Sequence, residues 1–134
     1  MVQEEKDLLL KELSSRYPYG VILHFDAKVE QDDEPLYSIR KNGGKYLIND
    51  AYYLEEVKPY LRPMESMTEG EKEEFIKFTS LSMHFFICKA TDTGHWYNSY
   101  EEEDWLDAHH FDYRGLIKKG LAIEVSEKNN PYEN

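Results

Sequence analysis

The segment Lys41-Asn42-Gly43-Gly44-Lys45 constrains the fold more than any other. Two adjacent glycines accept positive φ at no steric cost, and they stand between Leu36-Tyr37-Ser38-Ile39-Arg40 and Tyr46-Leu47-Ile48, both rich in β-formers. A hairpin is therefore expected here, and an all-helical fold is excluded. Upstream, Pro18 and Gly20 precede Val21-Ile22-Leu23-His24-Phe25, a β-branched and aromatic run that reads as a strand reaching toward Val29. The three runs together predict a three-stranded antiparallel meander.

Helical periodicity brackets this sheet. Residues Gln3 to Ser14 set Leu8, Leu9, Leu10 and Leu13 among charged positions at helical spacing, which predicts an N-terminal helix. Tyr52 to Pro63 reads as an ordered connection packed across the sheet, anchored by Tyr53, Leu54 and Leu61. Ser66 with Glu69 and Thr68 with Glu71 form overlapping capping boxes, and Phe75, Ile76 and Phe78 follow on one helical face. Leu81 to Lys89 fits either a continued helix or a buried strand. A second acidic helix start at Glu101 to Asp104 leads into Trp105-Leu106 and is expected to end near Phe111, with Trp105 packed inward against the sheet. One more turn over Arg114 to Lys119, stopped by Gly120, precedes a last strand at Leu121 to Val125 and a polar, frayed tail from Ser126. The expected fold is α+β: a single domain over 1–134 with an N-terminal helix, the meander, two later helices and a short C-terminal strand. The length of 134 residues suits one core.

Sixteen basic against 27 acidic residues give a net charge of −11, which disfavours direct binding to nucleic-acid phosphates or anionic lipid. The longest apolar runs fall far below the roughly 18 residues that span a bilayer. Cys88 is the only cysteine, so no intrachain disulfide forms and a reducing compartment is expected; the acidic start Met1-Val2-Gln3-Glu4-Glu5 lacks the basic region of a signal peptide. The chain is expected to be cytoplasmic.

Three blocks carry a resemblance: Tyr17-Pro-Tyr-Gly-Val21, Tyr53-Leu-Glu-Glu-Val-Lys-Pro-Tyr-Leu-Arg-Pro-Met64 with Ser66-Met-Thr-Glu69, and Trp105-Leu-Asp-Ala-His-His-Phe-Asp-Tyr-Arg-Gly-Leu-Ile117 with Gly120-Leu-Ala122. They resemble a family of small acidic proteins of gut bacteria and their phages. The blocks cover under half of the chain, and Tyr17 and Glu65 depart from the family pattern, where Leu and Ser are expected. The resemblance implies a bacterial or prophage origin and brings no activity or catalytic residue with it.

The densest chemical cluster is Asp107, His109, His110, Asp112, Tyr113 and Arg114. Asp107 and His110 share a helix face at i, i+3, so an oxygen and a nitrogen ligand lie close, but a metal-dependent hydrolase needs further ligands such as His84, His95 or Asp104. The plainer reading makes the histidines backbone partners at a helix end and has Asp112 and Arg114 pair or cap the turn into Gly115. Cys88 with His84 has the spacing of an activated thiol, yet Phe85-Phe86-Ile87 around it favours a buried hydrophobe. No complete catalytic or cofactor-binding set is present, so neither catalytic residue, metal nor cofactor is assigned.

Charge placement is more informative. Asp26 to Glu34, Glu65 to Glu74 and Glu101 to Asp112 carry −4, −4 and −6, more than the whole net charge. Such runs suit solvated turns and helix starts, or an acidic face that meets a partner's basic surface by electrostatic steering. The expected function is noncatalytic protein binding, with an acidic nucleic-acid mimic that inhibits a DNA- or RNA-binding protein as the sharper form. The candidate binding residues are Trp96, Tyr97, Tyr100, Glu101, Glu102, Glu103, His109, His110, Asp112, Tyr113 and Arg114.

Overall fold

The computed structural model describes residues 2–25, 33–78 and 100–132. The chain is a mixed α+β domain. It runs through α1 (Gln3–Arg16), β1 (Ile22–Phe25), β2 (Asp33–Pro35), β3 (Ile39–Asn42), β4 (Lys45–Ile48), β5 (Tyr52–Tyr53), β6 (Val57–Leu61), α2 (Glu69–Phe78), α3 (Tyr100–Ala108) and β7 (Ile123–Glu124), with 3₁₀ turns at Tyr17–Tyr19, Leu54–Glu56 and Met64–Ser66. Leu81 to Lys89, and with it Cys88 and His84, lies outside the described residues.

The strands divide between two sheets, ordered β2-β1-β6-β7 and β3-β4-β5. The hairpin forms as its sequence demands: β3 and β4 pair Asn42 with Lys45 across Gly43 and Gly44, whose φ values are 61° and 84°. The meander, however, is completed by β5 rather than by the Val21–Phe25 run. That run becomes β1 and pairs antiparallel with β2 on one side and β6 on the other. The cause is Asn49, which holds φ of 52° and takes the ladder's place. Its side-chain oxygen accepts the Tyr37 and Ser38 amides (2.9 and 3.2 Å), and its amide donates to Pro35 (3.0 Å). Strand β3 therefore starts only at Ile39, and Leu36 is buried outside it.

The expected connection over Tyr52 to Pro63 contains the central strand β6. Pro59 lies in it without loss because pairing with β7 begins one residue later, at Tyr60↔Ile123. Leu54 and Leu61 are buried as expected, whereas Tyr53 is 47% exposed.

Two cores result. The first packs α1 on the sheets through Leu9, Leu13, Leu23, Phe25, Ile48 and Leu61. The second joins Met64, Met67, Phe75, Trp105, Leu106, Phe111 and Tyr113. Trp105 is thus buried against α2 and the loop after α3, not against the sheet. Its ring lies 5.1 Å from Phe75, and its indole N–H donates to Glu74 at 3.0 Å.

Helix ends follow local chemistry. Thr68 and Glu71 exchange capping bonds at 3.1 and 2.9 Å, while Ser66 turns away and donates to the Pro63 carbonyl instead of pairing with Glu69. Helix α3 stops at Ala108, short of Phe111. His110 adopts φ of 64°, and the Phe111 and His110 amides return to the carbonyls of Leu106 and Asp107 in the Schellman pattern. Phe111 then bridges to Arg62 beside β6. The same 6→1 and 5→2 pattern recurs at Gly120, which ends the turn after Leu116.

The described part of the tail, as far as Tyr132, is tied to the sheet and to the end of α3. Tyr132 donates to the Tyr60 carbonyl at 2.8 Å, accepts the Ile22 amide at 3.0 Å and stacks on His110 at 3.7 Å.

Candidate functional site

Helix α1 presents Leu9, Glu12, Leu13 and Arg16 on one buried face, a spacing that carries an ion pair into the interior together with two leucines. Glu12 and Arg16 are both 0% exposed. Arg16 Nε donates to Glu12, Arg16 Nη2 donates to the Phe111 carbonyl, and the guanidinium lies 3.6 Å from Asp107 Oδ1. The second Glu12 oxygen accepts from Arg114 at 3.0 Å, and Arg114 also donates to Ser15 Oγ at 3.1 Å. Tyr113 completes the set by donating to Asp107 at 2.9 Å, with both guanidinium groups close to its ring.

The residues of the chemical-looking cluster therefore gather, but around α1 and not around a shared opening. Asp112 accepts the Leu116 and Ile117 amides at 2.8 and 3.0 Å, one on each oxygen, and so caps the following turn. Arg114 pairs with Glu12 and not with Asp112. The His109 ring lies on the Trp105 indole with Nδ1 at 2.9 Å from the Trp105 carbonyl, and His110 stacks on Tyr132. Among the described residues no group of three or more His, Cys, Asp or Glu side chains is placed to hold a metal ion.

Burial dominates the electrostatics. It pushes the Asp107 carboxyl up to about 6 against the pull of Arg16 and the Tyr113 hydroxyl. It also raises Asp112 against its two backbone amides, and it lowers His110 to about 4, with Arg16 adding to the effect. Glu12 and Asp107 thus share the Arg16 and Arg114 guanidinium groups, and burial favours the protonated form of Asp107. This arrangement ties helix α1 to the segment after α3; it offers no open acid–base pair to a substrate.

A second polar group lies on the outer face of the four-stranded sheet. His24 Nδ1 is 3.0 Å from Asp33 Oδ1, and the Tyr60 hydroxyl donates to both Asp33 oxygens at 3.1 Å. Burial and then the Asp33 carboxylate push the Tyr60 hydroxyl up to about 12. Such an arrangement orients an imidazole, and among the described residues no hydroxyl or thiol nucleophile bonds to it. Sequence reasoning missed it because β1, β2 and β6 bring its members from three separate segments; the alternation of β1 alone gives His24 only a half-exposed position.

Tyr100, Glu101, Glu102 and Glu103 lie in α3; Glu103 is half-buried and Asp104 exposed. Trp96 and Tyr97 lie outside the described residues. Tyr113, expected beside the acids as an exposed contact, is buried. Among the described residues no helix is long and apolar enough to cross a membrane. No family model, curated protein or solved structure matches the chain.

Proposed function

We propose that the chain is a noncatalytic protein-binding module of bacterial or prophage origin that offers its acidic runs to a partner with a basic surface. One observation carries this reading: the side chains with catalytic potential in the cluster after α3 are taken up in folding bonds, with Asp112 on two backbone amides, Arg114 on Glu12 and Tyr113 on Asp107. The hydrolase reading of His109, His110 and Asp112 gains nothing from three side chains that serve three different neighbours. What remains for function is the charge of the acidic runs apart from the buried Asp107 and Asp112, and its summed field raises the encounter rate with a cationic partner, whether or not that partner binds nucleic acid.

The test is association kinetics with a partner captured from the host cell. The on-rate is expected to fall steeply as salt rises, because charges are screened over about 8 Å at physiological ionic strength, while the off-rate changes little. Replacing Glu101, Glu102 and Glu103 together with Gln is expected to slow association without loss of fold. A partner whose on-rate ignores both salt and the substitutions overturns the reading.

A further inference from the structure

We propose that the free edge of β3 is a docking site for an extended, acidic protein segment, a surface opposite in sign to the acidic runs and independent of them. Within a chain of net charge −11, the hairpin carries Arg40, Lys41 and Lys45 and no acid. All three are exposed, Arg40 at 69% of its side chain, where it pairs with Asp50 at 3.0 Å; Lys41 and Lys45 have no ion-pair partner among the described residues.

The hairpin's geometry says which backbone groups are available. Among the described residues strand β3 ends its sheet, with β4 on one side only. A two-residue turn makes Asn42 and Lys45 a hydrogen-bonded pair, and the antiparallel alternation makes Arg40 and Leu47 the next. The N–H and C=O groups of Ile39 and Lys41 therefore point away from β4, and no other hydrogen bond among the described residues uses them. An added strand finds four backbone groups there.

The register also says what that strand carries. Ile39 shares its face with Ile48 and Tyr52 at the rim of the first core, so the residue opposite it is apolar. Arg40 shares the outer face with Leu47 and with Tyr53, over whose ring Lys45 lies at 5.1 Å. Lys41 stands at the exposed tip. Opposite-charge cross-strand neighbours are stabilising and like charges repel, so the two positions facing Arg40 and Lys41 are acidic. The segment selected is extended and carries two adjacent acids next to an apolar residue, which precedes them in a parallel strand and follows them in an antiparallel one. Exposed cations on an edge strand also discourage pairing between copies, and the experiment separates these roles.

The full chain, ¹⁵N-labelled, is titrated with the blocked peptide Thr-Val-Glu-Glu-Val-Thr and with counterparts carrying Gln-Gln or Lys-Lys in place of Glu-Glu. The acidic peptide is expected to shift the Ile39 to Asn42 amides in a saturable way, to bind roughly tenfold or more tightly than the Gln-Gln form, and to weaken with salt. The Arg40→Gln/Lys41→Gln variant, folded by its amide dispersion, is expected to lose that preference. Equal shifts from the acidic and Gln-Gln peptides, shifts confined to other strands, or shifts of the same amides by an octathymidylate with the peptide silent would each overturn the proposal. So would a variant that self-associates in sedimentation while the native chain binds no peptide.

Discussion

Two arginines reach Phe111, and the protein treats them differently. Arg16 donates to its carbonyl from a fully buried position inside the network of Glu12, Asp107 and Arg114. Arg62 lies over its ring at 4.1 Å, about one quarter exposed, and forms a two-pronged bond with Glu71, each prong 2.8 Å. The buried pair sacrifices the hydration of every charge and recovers it only if all partners are present. The partly exposed fork keeps water within reach, and its energy lies in two well-aligned charge-assisted bonds. Interior charge therefore makes the α1 contact conditional, whereas the fork adds an increment that can be removed piecemeal.

The sharpest way to break this contrast is Arg16→Met. It leaves Glu12 and Asp107 buried without their central cation, and a loss of about 3–5 kcal/mol is expected, as for other buried pairs broken from one side. The double variant Glu12→Leu/Arg16→Met is expected to lose less than Arg16→Met alone, because it removes the stranded carboxylate as well. Urea denaturation of the three proteins checks both statements; a double variant less stable than the single one would show that Arg16 acts through packing and not through charge.

A smaller effect, of opposite pH sign to that of the fork, comes from Asp107. Its carboxyl is pushed above the ordinary range to about 6 by burial, so the folded state holds the proton more tightly than the unfolded chain. The stability it contributes is full below about pH 4 and is lost as pH rises through about 6, a change of up to about 3 kcal/mol for a shift of this size. Asp107→Asn is expected to flatten that decline while keeping an acceptor for the Tyr113 hydroxyl. Stability curves measured from pH 4 to 8 test it, and an unchanged slope in the variant would assign the decline to another group.

The fork and the network also differ in how legible they were. Thr68 and Glu71 lie three residues apart, so the cap follows from helix-start chemistry alone, and the Gly43-Gly44 hairpin is equally local. Glu12 and Arg16 are spaced as a helical ion pair, yet such pairs are ordinarily solvated, and the partner that buries them, Arg114, comes 102 residues after Glu12. Strand β6 is hidden within the apolar, proline-bounded stretch Tyr52 to Pro63, which reads as a packed connection; Pro59 fits the strand because it pairs there on one edge only. Tyr132 gave no signal at all: one aromatic in a polar tail has no period, and its anchoring depends on the positions of Tyr60, Ile22 and His110. Local chemistry announced turns and caps, while the candidate site rests on contacts between segments that no spacing rule connects.

The smallest effect sharpens the comparison from the other side. The Arg62 guanidinium, with the Thr68 amide, holds the Glu71 carboxyl down at about 2 despite partial burial. A depressed folded value means that this contribution is full above about pH 4.5 and is lost as pH falls through about 2. The side chain is 19% exposed, so about 1–2 kcal/mol is expected, below the ~3 kcal/mol that the full shift implies. Arg62→Lys retains the charge but not the fork, and the Glu71 carboxyl is then expected to titrate closer to the ordinary carboxylate range, as followed by ¹³C chemical shift. This contribution rises from about pH 2 to about 4.5 and is lost in Arg62→Lys, whereas above that range the decline from Asp107 runs against the gain that the lowered His110 value supplies between about pH 4 and 6.5, so each contribution is read as the difference between the native chain and its own variant. If Arg62→Lys left the Glu71 midpoint near 2, the cap from Thr68 would hold the carboxylate without the fork, and the partly exposed pair would be an ornament on a helix start that is complete without it.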